Sequence, residues 1–256
     1  MFKPSVVIAA QENPAWIETV KSASGGSFDY LQYAERSNYI ARLADDHAAM
    51  ILVNGDGDEW RFWTLTPKTS PATRRIPIVL VSADDGIRRE ALAHGADFTA
   101  TPEELSQALP RWLAVHARVP SAAQMEEMDC QCGEAMPPNG LEGIRRFNQG
   151  EYYKQHDLFE ALWVEESGAV RDLYRAILQV GVAYYQITRG NLRGAHKMLL
   201  RSVQWLALLP DVCRGVDVKQ LREDSYRVRA ELERINDISE FDVSLLKAVK
   251  MVAAER

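Results

Sequence analysis

Residues 76–102 read "IPIVLVSADDGIRREALAHGADFTATP". Ile78 to Val81 is an unbroken aliphatic run between Pro77 and a polar Ser82 to Gly86 turn, which predicts a strand buried on both faces. The helical spacing of "IRREALAHG", a second short strand at "DFTA" and a helix from Pro102 follow. Upstream, Val6-Val7-Ile8 precedes the Asn13-Pro14 break and a helical pattern through Trp16, Ile17 and Val20. Tyr30 to Tyr33 precedes a helix near Tyr39 to Leu43, and Ala49 to Val53 runs into a turn at Gly55 to Gly57. Strands alternating with helices predict an α/β domain over residues 1–118, a parallel sheet with helices on both faces.

In open α/β sheets, chemistry lies beyond the carboxyl ends of the strands. Those positions hold Ala9, Ala10, Asn54, Ser82 and Thr101. With Ser82-Ala83, Gly95-Ala96-Asp97 and Pro102, the segment from Ser5 to Ala117 resembles the receiver domain of two-component response regulators, a flavodoxin-like fold. That resemblance implies a phosphoryl-accepting aspartate after the third strand, an acidic magnesium-binding pair after the first, and a lysine before the proline. Asn54, Ala9 with Ala10, and Thr101 stand at those places. Two alanines offer a hard dication no carboxylate oxygen, an amide does not accept a phosphoryl group, and threonine does not neutralise one. Asp56 and Asp58 lie nearby, but a shift of register by two residues leaves the acidic pair missing. The expectation is a pseudo-receiver that keeps the fold and docks a protein partner.

Length and composition fit two domains. The chain has 256 residues, 46% hydrophobic and 26% charged, so each half can bury a core. A net charge of -6 with no basic block argues against a nucleic-acid partner. The longest apolar run in the second half, Val180 to Tyr185, is far shorter than a bilayer span of about 20 residues, so no membrane partner is expected. The N-terminal stretch has no secretory pattern. Three cysteines, Cys130, Cys132 and Cys213, are too few for a disulfide framework. A cytoplasmic protein is expected, with Cys130 and Cys132 as thiols of a linker. Self-association is left open.

Residues 119–140 read as that linker, proline-rich at both ends, with a short helix near Met125 to Met128. Residues 141–256 read as an all-α antiparallel bundle, with helices over Leu141–Glu166 (breaking at Gly150), Val170–Arg189, Leu192–Leu209, Val218–Ile235 and Phe241–Ala254. Asp217 and Ser239 are the expected N-caps of the last two.

On the first of these helices, Tyr152, His156, Glu160 and Trp163 fall on one face, next to apolar residues; Asp157 lies about 100° away. On the second, Arg175, Gln179 and Gln186 form a polar stripe on a largely apolar surface. Two such stripes satisfy each other best face to face, so His156 and Glu160 are expected to meet Gln179, and Arg175 and Gln186 to flank it. Here "FNQGEYYKQHDLFEALW" (147–163) and "RDLYRAILQVGVAYYQITRGNLRGA" (171–195) resemble the bacterial helical family catalogued as domain of unknown function 309. The resemblance implies an all-α bundle with His156, Glu160, Trp163, Gln179, Gly190, Asn191 and Gly194 as signature residues, and a histidine where this chain has Gln186.

Two functions compete. His156 with Glu160 has the composition of an acid/base pair or part of a metal site, which keeps an enzyme with a pocket there, such as a hydrolase, as the alternative. Only two good ligands are evident, so no metal and no cofactor are expected. A buried polar cluster fixing two helices is the preferred reading. The aromatic residues Trp163, Trp205, Tyr184 and Tyr185 read as core, and Arg189, Arg193 and Arg201 as a solvated face.

Overall fold

The structure, a computed structural model, describes residues 3–23 and 26–252 and divides into two compact units, 1–119 and 120–256.

The first unit runs β1 (Ser5–Ala9), α1 (Ile17–Ala23), β2 (Asp29–Tyr33), α2 (Tyr39–Asp45), β3 (Ala48–Asn54), α3 (Trp60–Thr69), β4 (Ile78–Val81), α4 (Asp85–Ala93), β5 (Phe98–Ala100) and α5 (Pro102–His116). All strand pairs are parallel, in the order β2-β1-β3-β4-β5. This order is the flavodoxin-like one. Alternate side chains of the central strands serve two cores. Val7, Ala9, Ile51, Val53, Ile78 and Leu80 pack with Trp60 and Trp63 on one face, and Val6, Ile8, Leu52 and Val79 pack with Trp16, Leu105 and Leu109 on the other. Period-two alternation with both faces covered explains why these strands read as continuous apolar runs. The sequence reading passed over α3, where Pro67 sits inside the helix and Trp60 and Trp63 face the core.

The second unit begins earlier than expected. Residues 119–140 are not a linker: α6 (Ala122–Cys132) is opened by a Ser121 capping box, and Met128, Cys132 and Met136 join the core of this unit. Cys132 is disulfide-bonded to Cys213, leaving Cys130 as the free, exposed thiol, so the reading of two linker thiols is corrected. Next come α7 (Pro138–Asn148), α8 (Tyr152–Glu165), α9 (Arg171–Thr188) and α10 (Leu192–Leu206). A small antiparallel hairpin, β6 (Val212–Cys213) with β7 (Val216–Asp217), leads into α11 (Val218–Arg234), whose N-cap is Asp217, as expected.

Gly150, at a φ of 75°, turns the chain between α7 and α8 in a backbone conformation costly to other residues. The ring pair Tyr152–Tyr184 at one end of α8 and α9, and Arg171 over Trp163 at the other, show the two helices antiparallel. The central helix, α9, is buried nearly all round, from Leu173 to Ile187.

The last expected helix, Phe241–Ala254, does not form over its described residues. Asp237 and Asp242 each close a short 3-10 turn, capping Ser239 and Ser244, so Asp237 takes the place expected for Ser239. Beyond them the chain is extended. The Asn148 side chain bonds both backbone groups of Val249 (2.8 and 2.9 Å), and Met251 bridges to Val216. Residues 253 and 254 lie outside the described residues.

Candidate functional site

The carboxyl edge of the sheet is where a receiver would carry its chemistry. Asn54 is the last residue of β3 and pairs with Val81; Ala9 ends β1 beside Val53. A cavity of about 180 Å³ opens there, lined by Ala9, Ala10, Glu12, Asn54, Asp56 and Trp60 among others. Ser82 donates to the Asp56 carboxylate at 2.7 Å and accepts from the Asp84 backbone N–H at 3.1 Å. Thr101 is engaged as the N-cap of α5: its hydroxyl accepts from the Glu104 N–H, and the Glu104 carboxylate accepts from the Thr101 backbone N–H. The residues at the strand ends therefore do not fit the magnesium ion that the receiver resemblance implies. Carboxylates on the rim, Glu12, Asp56, Asp58 and Glu59, follow the strands rather than ending them.

In the helical unit the expected cluster separates into several places. The inward face of α8 carries Gln155 and Phe159, both with no exposed surface. His156, one residue on, keeps a third of its side chain exposed and Glu160 about half. The Gln155 amide donates to the carbonyls of Tyr152 (3.1 Å) and Leu178 (3.5 Å), and its nitrogen would lie 2.2 Å from a Cβ at Gly181. Gln155 thus fills the buried polar place that the sequence reading gave to His156. Gln179 is buried, but it makes no hydrogen bond with His156 or Glu160.

Trp163 and Arg175 do meet. The Arg175 guanidinium lies 5.2 Å from the Trp163 ring centroid and 4.0 Å from that of Trp205 on α10, and Arg171 lies 5.5 Å from Trp163. Such cation–π contacts are the face-to-face meeting of the two stripes, confined to one end. At the other end of α9, Gln186 accepts from the Asn191 side chain at 2.7 Å, and Asn191 caps α10 through the Gly194 N–H. Tyr152 packs edge-on against Phe147 and Tyr184, and burial raises its hydroxyl pKa.

Asp157, set aside on helical geometry, is the nearer partner of His156. His156 Nδ1 lies 3.2 Å from Asp157 Oδ1 and 3.9 Å from Glu160 Oε2. Both carboxylates sit at the solvent edge, where a short aspartate can swing alongside its neighbour. Sequence reasoning also missed Arg171, although it extends the Arg175–Gln179 stripe by one turn. It missed Arg214 as well, a buried residue that bonds the Tyr174 hydroxyl, Glu134 and the Gln131 carbonyl. No local pattern marks that arginine, because its partners come from distant segments.

Residues 141–198 match the family described as Domain of unknown function (DUF309), in agreement with the resemblance drawn from the sequence. An uncharacterized protein of Aquifex aeolicus (strain VF5) is 22% identical over 77 residues, 30% of this chain and 23% of that protein. The matched region is thus less than a quarter of that relative. A crystal structure from Chloroflexus aurantiacus J-10-fl, described as that of a proposed response regulator, is similar at 15% identity over 44% of this chain and 99% of that one, with a TM-score of 0.37. The receiver-like fold rests on the strand order. Among the described residues no helix is long and apolar enough to cross a membrane.

Proposed function

We propose that this chain is a cytoplasmic signalling or interaction protein: a receiver-like unit that docks a protein partner without phosphotransfer, joined to a helical unit that serves as output or scaffold. One observation carries the reading. The sheet keeps the receiver order, while its carboxyl edge presents Ala9, Ala10 and Asn54 where phosphotransfer needs carboxylates, and Thr101 is taken up in capping α5. A fold retained without its reaction is explained by its surface, since docking requires shape and not an acyl phosphate. The Cys132–Cys213 bond is unusual for a reducing compartment, and with Cys213 fully buried it would be reduced slowly once formed.

Magnesium titration tests this reading. Trp60 and Trp63 line the edge cavity, so metal binding there would change tryptophan fluorescence. No saturable change is expected at millimolar magnesium; a saturable change abolished by Asp56→Asn would contradict the proposal.

A second reading, a metal-assisted hydrolase, is favoured by the solvent-facing position of His156 and Glu160, which a purely structural pair would not need. Turnover of a phosphate or carboxylic ester that is lost in Glu160→Gln would establish it.

A further inference from the structure

We propose that the cavity at the carboxyl edge of the sheet receives one arginine side chain of a protein partner, with the guanidinium held among the carboxylates of Glu12, Asp56 and Asp58 beside the Trp60 and Trp63 wall. The assignment rests on the reading that the receiver-like unit docks a protein, and adds the group it recognises.

Two loops and the start of a helix build the cavity. Glu12 follows β1, Asp56 and Asp58 follow β3, and Trp60 and Trp63 belong to the first turn of α3. Ala9 and Ala10 are buried and too short to fill the space between the loops. The volume of about 180 Å³ is the share of roughly six waters at about 30 Å³ each. Pockets for nucleotides and similar ligands start near about 300 Å³, so the occupant is smaller: one side chain, carried by a larger body that supplies further contact.

Charge decides which side chain. Among the described residues, Glu12, Asp56 and Asp58 make no ion pair, although Asp56 accepts from Ser82 at 2.7 Å. Arginines of neighbouring segments are engaged elsewhere: Arg36 pairs with Glu59 at 3.0 Å, and Arg61 donates twice to Glu90 at 2.8 Å. Other carboxylates of this unit have their own cations, Asp29 in Lys3 and Asp97 in Lys68. Three unpaired carboxylates outweigh the roughly half positive charge that the N-terminus of α3 brings to the same place, so an anion is disfavoured. A flat, weakly hydrated guanidinium can fork onto a carboxylate and pack against indole, whereas the ammonium of lysine is a strongly hydrated point charge.

The experiment is titration of isotopically labelled full-length protein with N-acetyl-arginine methylamide, read at the indole N–H resonances of Trp60 and Trp63. A saturable shift of these two indoles is expected with arginine, a weaker response with the lysine analogue and none with the uncharged citrulline analogue. Glu12→Gln with Asp58→Asn should weaken binding about three- to tenfold, as for the loss of two exposed ion pairs. The same loss of charge elsewhere, Glu103→Gln with Glu126→Gln, should leave it unchanged. All four positions are exposed, and an otherwise unaltered spectrum would show that the fold survives. No saturable shift, an equal response to citrulline, tighter binding of lysine, indifference to the Glu12 and Asp58 substitutions, or displacement of the probe by equimolar magnesium or calcium chloride would each overturn the assignment. Failure of the arginine probe with magnesium still silent would leave protein docking to another surface, whereas a saturable magnesium response would overturn the docking reading itself.

Discussion

Gln155 and His156 are adjacent in the chain and divide between interior and solvent: Gln155 has no exposed surface, whereas a third of the His156 side chain is exposed. The helix therefore presents Gln155 and Phe159 to its neighbours and keeps His156 and Glu160 at the rim. His156→Ala should change stability by no more than about 0.5 kcal/mol, as for surface positions, while Phe159→Ala should cost about 3–5 kcal/mol as a core truncation. Urea denaturation of both variants checks this, and a large loss in His156→Ala would return the histidine to the core.

Gly143 on α7 faces that same phenylalanine. A Cβ there would lie 2.7 Å from the Phe159 ring, which is fully buried. Gly143→Ala should destabilise by about 1–3 kcal/mol through overpacking, even though alanine is the better helix former. Thermal melts of this variant beside Gly150→Ala would separate the clash from the backbone strain expected at a φ of 75°.

Much of the fold was legible because its signals are local. Continuous apolar strands, Pro14, Gly150, the Gly190–Asn191 turn and the Asp217 cap each act over a few residues, and the structure places them as read. What escaped depends on distant partners. Residues 119–140 lack periodicity because few side chains of α6, Met128 and Cys132 among them, need burial, and the disulfide to Cys213 lies 81 residues away. The end of the tail, past the two 3-10 turns, forms no helix and is tied instead to Asn148, about a hundred residues earlier, which bonds Val249. On α8, helical spacing placed His156 and Glu160 toward the interior and missed the rotation of the buried face by one residue. An aromatic and polar row such as Tyr152, His156, Glu160 and Trp163 fits an edge as well as a centre, and Gln155 was the unrecognised buried polar group.

The disulfide gives a redox prediction. Reduction, or Cys213→Ser, should lower stability by about 2–4 kcal/mol, because the bond closes a long loop in the unfolded chain. Cys130→Ser should be silent, its side chain being exposed. Urea midpoints with and without reductant distinguish the three cysteines.

The α7–α8 corner gives a pH prediction. Hydrogen bonds from Arg145 and Arg146 lower the Glu142 pKa to about 2, and those from Arg146 and Lys154 do the same for Glu151. Depressed carboxylate values mean stabilisation that is complete above the ordinary value of 4.5 and fades as pH falls toward about 2. Replacing both by glutamine should flatten the stability profile across that acid window, most visibly at low salt, because the groups are exposed. An unchanged slope would show that these pairs contribute nothing.

Acetyl phosphate with magnesium tests the loss of phosphotransfer most directly, read by intact mass and peptide mapping of the full-length protein. The Asn54 amide, the alanines at the end of β1 and the capping role of Thr101 lead to an unchanged mass after prolonged incubation. A stoichiometric acyl phosphate on Asp56, the carboxylate that Ser82 already holds at 2.7 Å, would contradict that conclusion.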